Sequence, residues 1–198
     1  VTEILHLHLD AIAAARHLLL FENQYFTSGL IADALASRLS EMEGPEVVVI
    51  TSEKHSGWLE DVTMGVRRAR LQARLRKADG RRRYRLLCPV LPDDGAQLTM
   101  HSKVFFMDDQ LCTIGSANLS NRSMACDTEC NLSIEASGVD AHRIAAAIAR
   151  MKARLLAEHL GTTPERLLPV LAERRSVGAT VDAFARSEEH TSELQSQR

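Results

Sequence analysis

The residues best suited to chemistry lie in one short run, His101 to Asn118, which reads HSKVFFMDDQLCTIGSAN. His101 and Lys103 are two apart, and on a strand residues i and i+2 project from the same face. An imidazole and an ammonium therefore enter one space. The pair suits a phosphodiester: imidazole attacks phosphorus while the ammonium neutralises the equatorial oxygens on which charge accumulates. Gly115-Ser116 ends the next strand with a backbone small enough for close approach. Ser116 and Asn118 can donate hydrogen bonds to phosphate oxygens from a turn whose amides also point outward.

The elements around this run follow from periodicity and punctuation. Leu5, Leu9 and Ile12 mark a helical stripe within 4–17. Leu18-Leu19-Leu20-Phe21 fits a buried strand, and Ser28 can cap a helix through about Met42, stopped by Gly44-Pro45. Val47 to Ile50 is β-branched throughout, as in a central parallel strand. A helix over Leu59–Ala78 ending at Asp79-Gly80 and a strand over Tyr84–Val90 come next. Asp108-Asp109-Gln110 reads as a tight hairpin between strands Lys103–Met107 and Leu111–Ile114. A strand over Cys130–Glu135, a helix over Ala141–Leu160 closed by Gly161, and a helix over Pro164–Arg175 complete the list. Strands alternating with helices, apart from one hairpin, predict an α/β fold in which a mixed sheet is sandwiched between helices.

Composition is that of an ordinary globular chain: 198 residues, 45% hydrophobic and 25% charged. A formal net charge of -2 provides no global basic field for nucleic acid. No apolar run approaches the roughly 20 residues that span a bilayer. The four cysteines, Cys88, Cys112, Cys126 and Cys130, lack the spacing of a disulfide scaffold or a zinc site and read as buried structural thiols. The chain begins at Val1, so its true N-terminus is expected to lie upstream. The segment RSEEHTSELQS from Arg186 resembles translated sequencing adapter and is read, with the rest of 186–198, as a non-native tail. The domain organisation expected is a catalytic half-domain over 1–175, a linker over 176–185 and that tail.

The pattern H-x-K-x-x-x-x-D-x-x-x-x-x-x-G-S-x-N resembles the signature of the phospholipase D superfamily, met without a gap by His101, Lys103, Asp108, Gly115, Ser116 and Asn118. The resemblance continues through LSNRSMACDTECNLSIEA and reaches back to FENQYFTS at 21–28, covering roughly residues 4–160. It implies a two-step, metal-independent reaction without cofactor. His101 forms a phosphohistidine, Glu129 orients His101, and a second histidine from another copy of the motif protonates the leaving alcohol. Water or a second alcohol then resolves the intermediate. Asp108 belongs to the motif and is carried with the catalytic set, yet it sits at the hairpin, away from the His/Lys face, and reads as structural.

Only one His-x-Lys motif is present, so the site needs either a missing N-terminal half or a second copy of the chain. Asn23 and Gln24 fall beside the carboxyl edge of the sheet, where open α/β sheets place ligands, and are candidates for the substrate side. Trp58 is a candidate for lining an acyl or headgroup pocket, with anchoring of a helix start as the plainer reading. The basic stretch from Arg67 to Arg85 fits an anionic membrane surface or a solvated helix face. Nucleic acid fits it less well, because only Tyr84 is available for base stacking. His6, His8, His17, His142 and His159 are assigned no function. The leading expectation is the C-terminal half of a bacterial two-motif phospholipase D or a phosphatidyltransferase such as cardiolipin synthase, acting on phospholipid with water or an alcohol as acceptor. A single-motif homodimeric nuclease and a catalytically incomplete scaffold are the alternatives. Location in the cell is left open between cytoplasm and membrane surface.

Overall fold

A computed structural model describes residues 2–52, 58–91, 95–96 and 98–185, excluding the side chains of 58–64. Residues up to Ala145 form one compact unit and those from Ala146 onward a second.

The first unit is built on a six-stranded mixed sheet. Helix α1 (Glu3–Ala14) leads into β1 (Leu18–Asn23), α2 (Gly29–Ser40), β2 (Glu46–Ile50), α3 (Trp58–Ala78) and β3 (Tyr84–Leu87). The chain then returns antiparallel through β4 (Lys103–Met107) and β5 (Leu111–Gly115), and reaches β6 (Asn131–Glu135) by way of the one-turn helix α4 (Asn121–Ala125). The strand order is β3-β2-β1-β4-β5-β6. β1, β2 and β3 are parallel, and β1, β4, β5 and β6 pair antiparallel in turn. The expected α/β class and mixed sheet are therefore present. Both faces of β1 are buried: Leu19 and Phe21 pack with Leu5, Ile12, Ile31 and Leu35 of α1 and α2, while Leu18 and Leu20 on the opposite face are also covered.

Several boundaries differ from the sequence expectation, each for a local reason. α2 stops at Ser40 because Arg83 caps it, its Nη2 donating to the carbonyls of Leu39 (2.9 Å) and Glu41 (2.6 Å). At Gly44 a side chain would overlap the Arg38 carbonyl and the Arg83 guanidinium. α3 ends where the Asp79 carboxylate accepts from the amides of Arg83 and Tyr84, and the left-handed residue is Arg82 rather than Gly80. β3 closes at Leu87, two residues short of Pro89, whose missing N–H cannot extend a ladder. α4 was not foreseen, since five residues carry no visible period; Ser120 caps it by accepting from the Ser123 amide.

The second unit is helical. α5 (Ala141–His159) runs into it and closes at Gly161 in the left-handed conformation, and α6 (Pro164–Arg174) follows with Pro at its start. Residues 177–185, expected as linker, form helix α7. Ser176 starts it, its Oγ accepting from the Ala179 amide at 3.0 Å, and Val177 and Thr180 are buried. The segment 186–198 lies outside the described residues. The cysteines also divide differently from expectation. Cys112 is buried, and burial pushes its thiol up to about 11, whereas Cys126 and Cys130 are exposed on the loop between α4 and β6.

Candidate active site

Strand register assembles the polar residues of the motif into one row. Asn23 on β1 lies opposite Lys103 on β4, and Gly115 on β5 lies opposite Asn131 on β6. Lys103 and Gly115 each fall one residue beyond the Val104 and Ile114 pair that joins β4 to β5. The row crosses four strands at the end of the sheet where β1 and β2 terminate, the end at which open α/β sheets place their ligands.

Lys103 is the buried charge of this row, 7% exposed. Its Nζ donates to the His101 carbonyl at 2.7 Å and to Gln24 Oε1 at 3.1 Å. Burial lowers its pKa, an effect partly opposed by the carboxylate of Glu129. Gln24 thus meets the site directly. Asn23 is committed to backbone: its Nδ2 donates to the Ala117 carbonyl, and its Oδ1 accepts from the amides of Tyr25 and Leu119. It clasps the loop after β1 to the loop after β5, where Thr27 and Ser28 amides also meet the Leu119 carbonyl.

His101 is exposed and stands two residues before β4 begins, not on the strand. The strand from which His101 and Lys103 were expected to project together begins only at Lys103, whose ammonium reaches back to the histidine's own carbonyl. The loop is anchored next door, where the buried Met100 amide donates to Ser52 Oγ at 2.9 Å. Ser52 was missed in the sequence; its only signal was its position just after the apolar β2 run.

Ser116 and Glu129 form the opposite wall. Ser116 Oγ donates to Glu129 Oε2 in a short hydrogen bond and accepts from the Cys130 amide at 3.0 Å, while the Ser116 amide donates to the Cys130 carbonyl. Glu129 was expected to orient His101; among the described residues its hydrogen-bonding partner is Ser116. Gly115 is required by close approach, because a Cβ there would overlap Asn131 Oδ1 and the Cys130 carbonyl. The same Asn131 Oδ1 accepts from the Ala117 amide at 3.3 Å, a supporting role the sequence did not announce. The Oδ1 of Asn118 is buried without a hydrogen-bond partner among the described residues.

Asp108 lies at the far end of β4, about 20 Å along the chain from His101 at the usual strand rise. Its carboxylate accepts from the amides of Arg16, His17 and Leu18 at 2.7–2.9 Å, tying the hairpin to the start of β1. It adopts the left-handed conformation (φ 52°) that Asp tolerates better than most side chains. The structural reading of Asp108 accounts for these contacts, and its place in the catalytic set does not. Trp58 opens α3, with its side chain outside the described residues.

The arrangement is a phospholipase D-like fold on a mixed α/β sheet. Residues 8–152 match the family described as the PLD-like domain of cardiolipin synthase, and the chain belongs to that family. Similar solved structures share the fold. NucT from Helicobacter pylori is 22% identical, with 76% of this chain and 86% of that chain covered and a TM-score of 0.50. Nuc, a phospholipase D family member from Salmonella typhimurium, is 18% identical over 74% of this chain and 82% of that one, with a TM-score of 0.51. Phosphatidylserine synthase from Haemophilus influenzae Rd KW20 is 17% identical, with a TM-score of 0.59 over 89% of this chain and 44% of that one. A comparison with curated proteins gives no match.

Proposed function

We propose that this chain carries one half of a phospholipase D-type site, which cleaves or exchanges the phosphodiester of a phospholipid through a phosphohistidine at His101. The observation that carries the reading is the convergence of Lys103, Gln24, Ser116 and Glu129 about the His101 loop, at the ligand-binding end of the sheet. In the first step an imidazole nitrogen of His101 forms a bond to phosphorus and the bond to the leaving alcohol breaks. The ammonium of Lys103, already fixed by two acceptors, neutralises the charge that builds on the phosphoryl oxygens. The leaving oxygen takes its proton from a histidine of a second motif, supplied by another half of the parent chain or by another copy. Water or an alcohol then attacks phosphorus and releases His101.

Glu129 Oε2 holds Ser116, and its other carboxylate oxygen serves the imidazole, favouring the tautomer that attacks and the imidazolium that follows. Ser116, Gly115 and Asn118 line the phosphate. The buried Oδ1 of Asn118 accepts the hydroxyl of the incoming water or alcohol, the donor it otherwise lacks. The half-length span of the chain on phosphatidylserine synthase fits a two-half enzyme. The test is release of phosphatidic acid from phosphatidylcholine vesicles by the chain joined to its second half. His101→Ala is expected to lower turnover at least a thousandfold. Unchanged turnover would overturn the nucleophile assignment, and cleavage of duplex DNA in place of lipid would favour the homodimeric nuclease.

A further inference from the structure

Two features near the His101 loop have no part in the chemistry above. The first is apolar. The segment joining β3 to His101 leaves the ligand-binding end of the sheet, and Val90, Leu91 and Leu98 on it are 56%, 44% and 38% exposed. Within it the Leu98 amide donates to the Pro89 carbonyl and the Leu91 amide to the Ala96 carbonyl. Three large aliphatic side chains are thus exposed shortly before the proposed nucleophile.

The second feature is cationic. Residues 67–85 contain ten Lys and Arg against one acid, Asp79, in a chain whose net charge is -2. Of these, Arg67, Arg70, Arg74 and Lys77 recur at spacings of three, four and three, which places them on one face of α3. All four are exposed; Arg74 is paired with Asp33 of α2, so Arg67, Arg70 and Lys77 are the cations offered to headgroups. The interior of the helix is marked instead by Leu75, which is fully buried. α3 is joined to the His101 loop through Ser52, whose carbonyl accepts from Arg68, the neighbour of Arg67, at 2.6 Å and whose hydroxyl accepts from the Met100 amide.

We infer that these features form one docking surface for an anionic phospholipid bilayer. Val90, Leu91 and Leu98 enter the acyl boundary, and the α3 cations meet the headgroups. Charge complementarity selects the partner, because a negatively charged lipid surface attracts clustered Lys and Arg, at about 1 kcal/mol per residue. The exposed aliphatic side chains on the segment that Ser52 links to α3 favour a bilayer over a nucleic acid, which would be gripped by aromatic stacking. The docked surface would present headgroups at the mouth of the site. The inference rests on the phospholipid reading of that site, but its test does not depend on turnover.

Binding of the purified chain to sedimenting vesicles is compared for phosphatidylcholine alone and for phosphatidylcholine mixed with phosphatidylglycerol. The wild type is expected to bind the anionic vesicles, and more weakly as salt rises. Arg67→Gln with Arg70→Gln should weaken that binding roughly thirtyfold. Val90→Asp with Leu91→Asp should abolish it. Both variants should cleave a water-soluble aryl phosphodiester at the wild-type rate, which shows that they fold. Anionic vesicle binding that is equal in the wild type and the Arg67/Arg70 variant would overturn the proposal. So would duplex DNA binding that is lost in that variant while vesicles are ignored. Vesicle binding by the chain, with no lipid turnover once its second half is joined, would instead refute the proposed substrate and leave the docking surface standing.

Discussion

At the scale of single residues, Lys103 is the costly member of the site. A buried ammonium needs acceptors, and Gln24 Oε1 is one of only two it has among the described residues. Gln24→Leu leaves Lys103 one acceptor short and frees its tip. We expect kcat/KM to fall roughly tenfold to a hundredfold, the effect of misplacing one charge-stabilising group. Stability should fall as well, by about the 1–3 kcal/mol that an unsatisfied buried donor costs. A wild-type rate in this variant would remove Gln24 from the positioning of Lys103. The motif residues His101, Lys103, Gly115, Ser116 and Asn118 were legible in the sequence because their spacing is unusual. The hydrogen-bond partners were not. Nothing in the sequence says that Asn23 serves backbone while its neighbour Gln24 meets Lys103; β1 ends at Asn23, and Gln24 stands in the bend that follows.

At the scale of elements, the site depends on pieces remote from it. Asp108 joins the β4–β5 hairpin to β1 by three amide hydrogen bonds. Asp108→Ala should cost about 2–3 kcal/mol in a denaturant titration, since the lost bonds involve a charged acceptor. Turnover at low temperature should persist if Asp108 acts only through the fold. His8 of α1 supports β4 from beneath, stacking on Phe105 with ring centroids 5.1 Å apart and bonding the Ile4 carbonyl at 2.8 Å. Burial lowers its pKa below the ordinary 6.5, so the folded state keeps it neutral while the unfolded chain takes up a proton. The stability tied to that neutrality is complete above pH 6.5 and is lost as pH falls from 6.5 towards the folded pKa. His8→Phe should flatten the decline of stability in that window; an unaltered pH profile would contradict the assignment. The strands and long helices were readable from apolar runs, and the ends least so. α2, β3 and the segment 177–185 are bounded by Arg83, Pro89 and Ser176, whose effects depend on partners distant in sequence or on a single missing donor.

At the scale of the whole molecule, one motif places one nucleophile, and protonation of the leaving alcohol calls for a second histidine. The fold class was legible in the sequence, and under the proposed function a motif that occurs once calls for a second half. The pairing surface was not, because no periodic pattern records an interface. The chain by itself should therefore cleave an aryl phosphodiester, whose phenolate departs without a proton, far faster than an alkyl one. Addition of a second half bearing its own His-x-Lys motif should raise the alkyl rate at least a hundredfold, the usual contribution of a general acid. Equal rates on the two esters before addition would argue that the general acid lies within this chain.

The central claim is the covalent intermediate, and the most direct measurement traps it. The chain is mixed with bis(p-nitrophenyl) phosphate, quenched at alkaline pH, where phosphohistidine survives, and digested for mass spectrometry. The account predicts one aryl-phosphoryl group on the peptide containing His101, formed in step with a burst of p-nitrophenolate and absent from His101→Asn. A burst with no adduct on His101, or the same adduct in His101→Asn, would contradict it.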